Sequence, residues 1–169
     1  MLVRPEQPTD VSAIRAVVAA AFPTALEAQL VDALRAAGRL TVSLVAEVDG
    51  EIVGHIAFSP VAAGPTADGV GLAPLAVDPA HQQQGVGSRL VQTGLDACRQ
   101  AGIGFVVVLG DPAYYSRFGF APAANWQLTD EYGGGPAFQA IQLREGACSF
   151  GPQLVRYSPE FAPFGSPTR

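Results

Sequence analysis

The residues of this chain best suited to chemistry on an anion are Gln82-Gln83-Gln84-Gly85-Val86-Gly87-Ser88. They follow the apolar run Leu75-Ala76-Val77 and the break at Asp78-Pro79, and they open a segment of helical periodicity. The first turn of a helix carries backbone N–H groups with no partner one turn back, together with the positive end of the helix dipole. Both attract a phosphate. Gly85 and Gly87 let the chain turn sharply and let a phosphate reach the backbone without a Cβ in its path. The expectation is a pyrophosphate cradle.

Other phosphate-binding loops fit less well. Gly85-Val86-Gly87-Ser88-Arg89-Leu90 begins like a dinucleotide fingerprint, but leucine stands where its third glycine belongs. Seven residues also separate Val77 from Gly85, whereas in a dinucleotide fold the first glycine follows its strand closely. Asp111, after the next expected strand, could imitate the ribose-binding acid of that fold. A Walker loop is excluded because the chain has no lysine. No serine lies in a Gly-x-Ser-x-Gly elbow, and neither His55 nor His81 pairs with Cys98 or Cys148 at zinc-ligand spacing, so no metal is expected.

The elements that must position these residues can be read from periodicity. Leu2-Val3-Arg4 reads as a short strand, Thr9 as a helix N-cap before Val11, Ile14 and Val18, and Leu26, Leu30 and Leu34 as a second helix ending at Gly38. Thr41–Val48 and Glu51–Ala62 are expected strands joined at Asp49-Gly50, a strong hairpin signal. Gly64–Gly69 is a turn region leading to a strand that ends at Val77. The helix from Gly87 to Ala101 buries Leu90, Val91, Leu95 and Cys98, and a buried strand follows up to Leu109. Trp126–Leu128 and Phe138–Leu143 alternate like half-buried strands, and Leu154-Val155 reads as an edge strand. The chain is expected to form one domain over residues 1–158, with 159–169 a loosely ordered tail rich in proline and glycine.

Taken together, Gln82-x-x-Gly85-x-Gly87 after Leu75–Val77 and Tyr115-Ser-Arg-Phe118-Gly119-Phe120 after the strand at Phe105–Leu109 resemble the GNAT superfamily of N-acetyltransferases. The first stretch is similar to that family's coenzyme A signature, and the second to its Tyr-x-x-x-Gly-Phe pattern. The resemblance covers roughly residues 2–145 and is specific over 69–122. It implies an α/β fold built on a mixed, mostly antiparallel sheet, splayed between its fourth and fifth strands and flanked by helices. The splay would fall between Gly71–Val77 and Phe105–Leu109. It also implies acetyl transfer from acetyl-coenzyme A to an amine by direct attack in a ternary complex.

In this reading coenzyme A meets Leu75, Ala76, Val77, Gln82, Gln83, Gln84, Gly85, Val86, Gly87, Ser88 and Tyr115, and Tyr115 also protonates the departing sulfur. Tyr114 is the alternative phenol. Some relatives carry a glutamate base six residues before the position of Val77; here that position is Gly71, so the direct base is missing. Glu27 and His55 are the candidates for acceptor contact, each with a plainer reading: a solvated helix acid and a satisfied interior histidine. Glu47, next to a turn, reads as surface. The missing base leaves a second class open, a coenzyme A-binding domain that has lost catalysis. Family resemblance also raises a homodimer joined through the C-terminal strands.

Composition fits and bounds this. The chain has 169 residues, 49% of them hydrophobic and 15% charged, enough to bury a full core. Its formal charge is −5 and all ten basic residues are arginines, scattered singly, so no nucleic-acid stripe exists. The same charge repels coenzyme A at long range, so local backbone donors, helped by Arg89, must hold it. No apolar run reaches membrane-spanning length and no signal-peptide pattern opens the chain. With Cys98 and Cys148 the only cysteines, a reduced, cytoplasmic setting is expected.

Overall fold

The computed structural model describes residues 1–65 and 68–165; part of the turn region at 64–69 and the end of the tail, 166–169, lie outside the described residues. A sheet is formed by β1 (Leu2–Pro5), β2 (Val42–Val48), β3 (Glu51–Pro60), β4 (Gly69–Val77), β5 (Phe105–Leu109), β6 (Ala121–Pro122) and β8 (Phe138–Gln142), in the order β1-β2-β3-β4-β5-β8-β6, its central strands being near-continuous buried runs. β1–β2, β2–β3, β5–β8 and β6–β8 are antiparallel, while β4 and β5 run parallel over Gly69↔Phe105, Val70↔Val106 and Gly71↔Val107. This is the mixed, mostly antiparallel sheet with flanking helices that the sequence led one to expect. Gly71, placed inside the splay by that reading, is still paired with Val107.

By internal packing the chain divides into two compact units, Met1–Phe58 with Ala73–Ala97 and Ser59–Leu72 with Cys98–Arg169. Neither is a contiguous stretch, because the division runs through β3, β4 and the third helix.

In the first unit, α1 (Val11–Ala21) and α2 (Leu26–Ala36) bury Ile14, Val17, Val18, Ala28 and Val31 against Val45 and Ala76. The other face of β3 receives α3 (Val86–Gln100), where glycines take the closest approach. A Cβ on Gly54 would lie 2.9 Å from Leu90, and one on Gly94 would lie 2.6 Å from the Phe58 ring. Thr9 does not cap α1. It lies inside a 3-10 turn, Pro8–Asp10, and the carboxylate of Asp10 accepts the Gln7 N–H at 2.7 Å while pairing with Arg4 at 2.7 Å. A charged partner on β1 makes Asp10 the better anchor. The Asp49-Gly50 hairpin is as expected, both residues having positive φ.

In the second unit, α4 (Pro112–Tyr115) follows β5, its start held by Asp111, which accepts the Ala113 N–H at 2.9 Å. β7 (Leu128–Asp130) and β9 (Gln153–Val155) form a separate parallel pair. The sequence reading is corrected once here: Trp126 belongs to a 3-10 turn, Ala123–Trp126, whereas Leu154-Val155 is an edge strand as expected, paired with β7 and not with the main sheet. Alternation reports which side is buried but not which strand is the partner. The tail begins as a 3-10 helix, Pro159–Phe164, with the Phe161 ring 5.1 Å from that of Tyr157.

Candidate functional site

The cradle lies wholly in the first unit. β4 ends at Val77, and Asp78 turns the chain by accepting the Ala80 N–H at 2.8 Å, with its own N–H bonded to Val53 O at 2.8 Å. The Gln82 side chain donates to Val77 O at 3.0 Å and that of Gln84 donates to Ala80 O at 3.1 Å. Their amides therefore brace the loop. Gln83 adopts φ 60° and Gly85 φ 84°, so the backbone doubles back twice before the helix. A Cβ on Gly85 would meet nothing within 4 Å, so the space beside this exposed loop is open. The first helical bond of α3 runs from Arg89 N–H to Gly85 O at 3.0 Å, and the N–H groups of Val86 and Gly87 precede that ladder. Open space beside unstapled helix-start donors fits a phosphate. Leu75 and Val77 are half-buried, and Ala76 is buried in the α1–α2 cluster.

Tyr115 closes α4 in the second unit. Its ring is buried edge-on against Tyr114 (5.0 Å) and Phe120 (5.6 Å), and it covers Gly110, where a Cβ would lie 2.4 Å from the ring. Burial, followed by the neighbouring Tyr114, pushes its phenol pKa upward, so the hydroxyl keeps its proton. Tyr114 is half-buried and carries the Arg117 guanidinium 4.5 Å above its ring.

Gly71 has no room for a side chain. A Cβ there would lie 2.8 Å from Tyr157 Cε1 and 3.2 Å from Val61 Cγ1. Where the resemblance would put a carboxylate, this chain has an aromatic ring from its C-terminal segment.

Glu27 is half-buried at the start of α2 and accepts the Thr24 hydroxyl at 3.1 Å. Glu47 pairs with Arg4 at 3.0 Å. His81 stands 3.8 Å from Asp78 in the cradle loop. His55 is fully buried on β3, and Ser43 Oγ lies 2.8 Å from its Nε2. Ser43 also donates to Glu6 at 2.5 Å, and Arg35 holds Glu6 through two bonds of 2.8 and 3.1 Å. This is not a nucleophilic triad. The carboxylate sits on the serine and on the same ring nitrogen, whereas a triad needs it on Nδ1.

Sequence reasoning missed Glu6, Arg35 and Ser43, because Glu6 and Arg35 lie far from His55 in the chain and Ser43 reaches its side of the sheet only through a register shift between Ala46 and Glu47. Cys98 and Cys148 are free and buried, burial pushing their thiols up to about 12 and about 11. Among the described residues no group of three or more His, Cys, Asp or Glu could hold a metal, and no helix is long and apolar enough to cross a membrane.

Comparison with known proteins agrees with this geometry. The Acetyltransferase (GNAT) family model matches residues 12–120. The uncharacterised N-acetyltransferase YhbS of Escherichia coli K12 is 44% identical over 167 residues, covering 97% of this chain and 100% of YhbS. The crystal structure of E. coli YhbS in complex with CoA superposes with a TM-score of 0.92 at 43% identity, covering 99% of this chain and 95% of that one. A GNAT family acetyltransferase from Brucella melitensis in complex with acetyl-CoA gives 0.76 at 40% identity, covering 95% and 97%. Identity of this level over nearly the whole chain, on the same fold and with a family model matching residues 12–120, leaves one assignment: the chain belongs to the GNAT family of acetyltransferases.

Proposed function

We propose that the protein transfers the acetyl group of acetyl-coenzyme A to an amine acceptor by direct attack in a ternary complex. The observation that carries this reading is the loop before α3, with Gly85 at φ 84° and open space where its side chain would be. The CoA and acetyl-CoA bound by the two relatives support it. Residues 1–158 are the catalytic domain and 159–169 its tail; a cytoplasmic setting and pairing through the C-terminal strands belong to the same reading.

Backbone N–H groups from Gly85 to Ser88 hold the pyrophosphate, with Gln82, Gln83 and Gln84 shaping the loop. Leu75, Ala76 and Val77 offer backbone donors to the pantetheine amides and the thioester carbonyl, where negative charge develops. Acetyl-coenzyme A supplies a thioester whose C–S bond breaks as the C–N bond to the amine forms. Tyr115 donates its phenolic proton toward the departing sulfur. Because burial holds that proton firmly, Tyr115 acts chiefly as a hydrogen-bond donor, strengthening as the sulfur gains charge. The amine's proton leaves through water, since Gly71 presents no base. Tyr115→Phe should therefore lower kcat about 10- to 100-fold while changing the acetyl-coenzyme A Kd less than about threefold. Unchanged kcat across the pH range would remove the tyrosine from the mechanism.

The primary test is calorimetric titration with acetyl-coenzyme A, with NADH as control, followed by thiol release with a panel of primary amines. Saturable binding of acetyl-coenzyme A alone, with amine-dependent release, is expected. The tight cover over Gly71 favours one second reading, a coenzyme A-binding domain without turnover. Binding with no release above the amine-free rate would select it, and binding of NADH would overturn both.

A further inference from the structure

We propose that His55, Ser43, Glu6 and Arg35 form a proton-triggered latch, in which a proton taken up at Nδ1 of His55 draws Glu6 to the imidazolium and releases Arg35, and with it the last turn of α2, from the segment after β1. The latch lies within the first unit and is separate from acetyl transfer, so it stands or falls independently of that reading.

The hydrogen-bond directions are forced. Glu6 receives a two-point clamp from Arg35, at 2.8 and 3.1 Å, and this charge-assisted pair keeps it a carboxylate that can only accept. The single hydroxyl hydrogen of Ser43 therefore goes to Glu6, at 2.5 Å. Ser43 then has only lone pairs for His55, so Nε2 must carry the ring hydrogen and donate it over 2.8 Å. A neutral ring protonated at Nε2 has a bare Nδ1, and Nδ1 is buried with no hydrogen-bond partner. Its lone pair is the open end of an otherwise saturated chain.

Adding a proton there has unfavourable consequences inside the fold. The new Nδ1–H has no acceptor, on a strand whose next two residues, Ile56 and Ala57, are fully buried. The imidazolium would stand 3.5 Å from Glu6 Oε2, but that oxygen already serves Ser43 and Arg35, so two cations would compete for one carboxylate. The charged groups around the ring come from two segments besides its own strand: Glu6 after β1, and on α2 Arg35 with, through it, Asp32 at 3.1 Å. Burial is the dominant influence on the ring and lowers its pKa, with Glu6 opposing. A lowered folded value means that the stability contributed by neutral His55 is complete above the unfolded value of about 6.5 and is lost as pH falls through the folded value.

Release should occur at the half-buried members. The Glu6 and Arg35 side chains are 17% and 22% exposed against 0% for His55, and Glu6 stays tied to β2 by its N–H to Ser43 O at 3.1 Å and by the Ser43 hydroxyl at 2.5 Å. Displacing Arg35 from Glu6 leaves it with Asp32 of its own helix at 3.1 Å, while Arg15–Asp32 at 2.8 Å and the buried Leu30, Val31 and Leu34 keep the body of α2 in place.

The test is imidazole 15N NMR of the wild-type protein combined with amide hydrogen exchange, from about pH 8 to about pH 5. At the upper pH, His55 should show the Nε2–H form. As it takes up a proton, the protection factors of the amides in the last turn of α2, corrected for the slower intrinsic exchange at lower pH, should fall about tenfold, while those of α3 stay unchanged. His55→Gln should lose that acid response. The Nδ1–H form at the upper pH, protonation with no change in those amides, or an unchanged acid response in His55→Gln would each overturn the latch.

Discussion

Replacing Gly85 with valine is expected to abolish useful acetyl-coenzyme A binding while leaving the protein folded. Gly85 sits at φ 84°, a conformation that costs a residue with a Cβ about 1–2 kcal/mol and a β-branched one more. Because the loop is exposed and a Cβ there meets nothing within 4 Å, that strain is the main folding cost. The larger effect falls on the ligand, since the valine branches would occupy the space through which a phosphate reaches the helix start. Losing one charge-assisted hydrogen bond costs about 1.5–3 kcal/mol, roughly 10- to 150-fold in Kd. Gly102→Val is the control. Gly102 has φ 79° and equally open space, but it follows the far end of α3, about 22 Å along the helix. It should show a similar fall in Tm with the calorimetric Kd unchanged. Equal weakening by both substitutions would mean that general loosening, not a blocked cradle, accounts for the loss.

Gly71→Glu is expected to cripple folding rather than supply a base. Tyr157 Cε1 lies 2.8 Å from where the first side-chain carbon would go, and Gly71 itself is paired with Val107 in the parallel ladder. Overpacking of this kind costs about 1–3 kcal/mol, and a buried carboxylate without a partner adds several more. A total near 4 kcal/mol is a large part of a domain's stability and would lower Tm by roughly 8–16 °C. Thermal unfolding measures it directly, with Gly71→Ala as the milder companion. A Gly71→Glu protein with wild-type Tm and faster turnover would show that the ring of Tyr157 gives way, restoring the position to catalysis.

These two glycines mark how differently a sequence reports its parts. Gly85 was legible because a local event, a strand stop followed by a turn and a helix start, has a local signature. The α3 face is of the same kind: Leu90, Val91, Leu95 and Cys98 are buried and Arg89, Gln92, Asp96 and Arg99 are exposed, as helical spacing requires. Gly71 looked like an absence, a base that was missing. Only the folded chain shows the cause, a ring from a residue 86 positions further on. Leu154-Val155 was legible as an edge strand but its partner was not, because Leu128–Asp130 is a parallel neighbour that no hairpin announces.

The clearest division runs through His55. By itself the sequence determined the β2–β3 hairpin, because Asp49-Gly50 between two apolar runs has few other uses. An unbroken ladder from that turn, starting at Val48↔Glu51, would set Leu44 against His55 and put Ser43 on the opposite face. The structure instead slips the register between Ala46 and Glu47, so that Val45 faces His55 and Ser43 shares its side of the sheet. That one-residue bulge brings Ser43 within reach of the ring, and with it Glu6 and Arg35. Turn chemistry is local and is written in adjacent residues. The register beyond a bulge is settled by which faces can be buried together, and that balance exists only once the helices are packed.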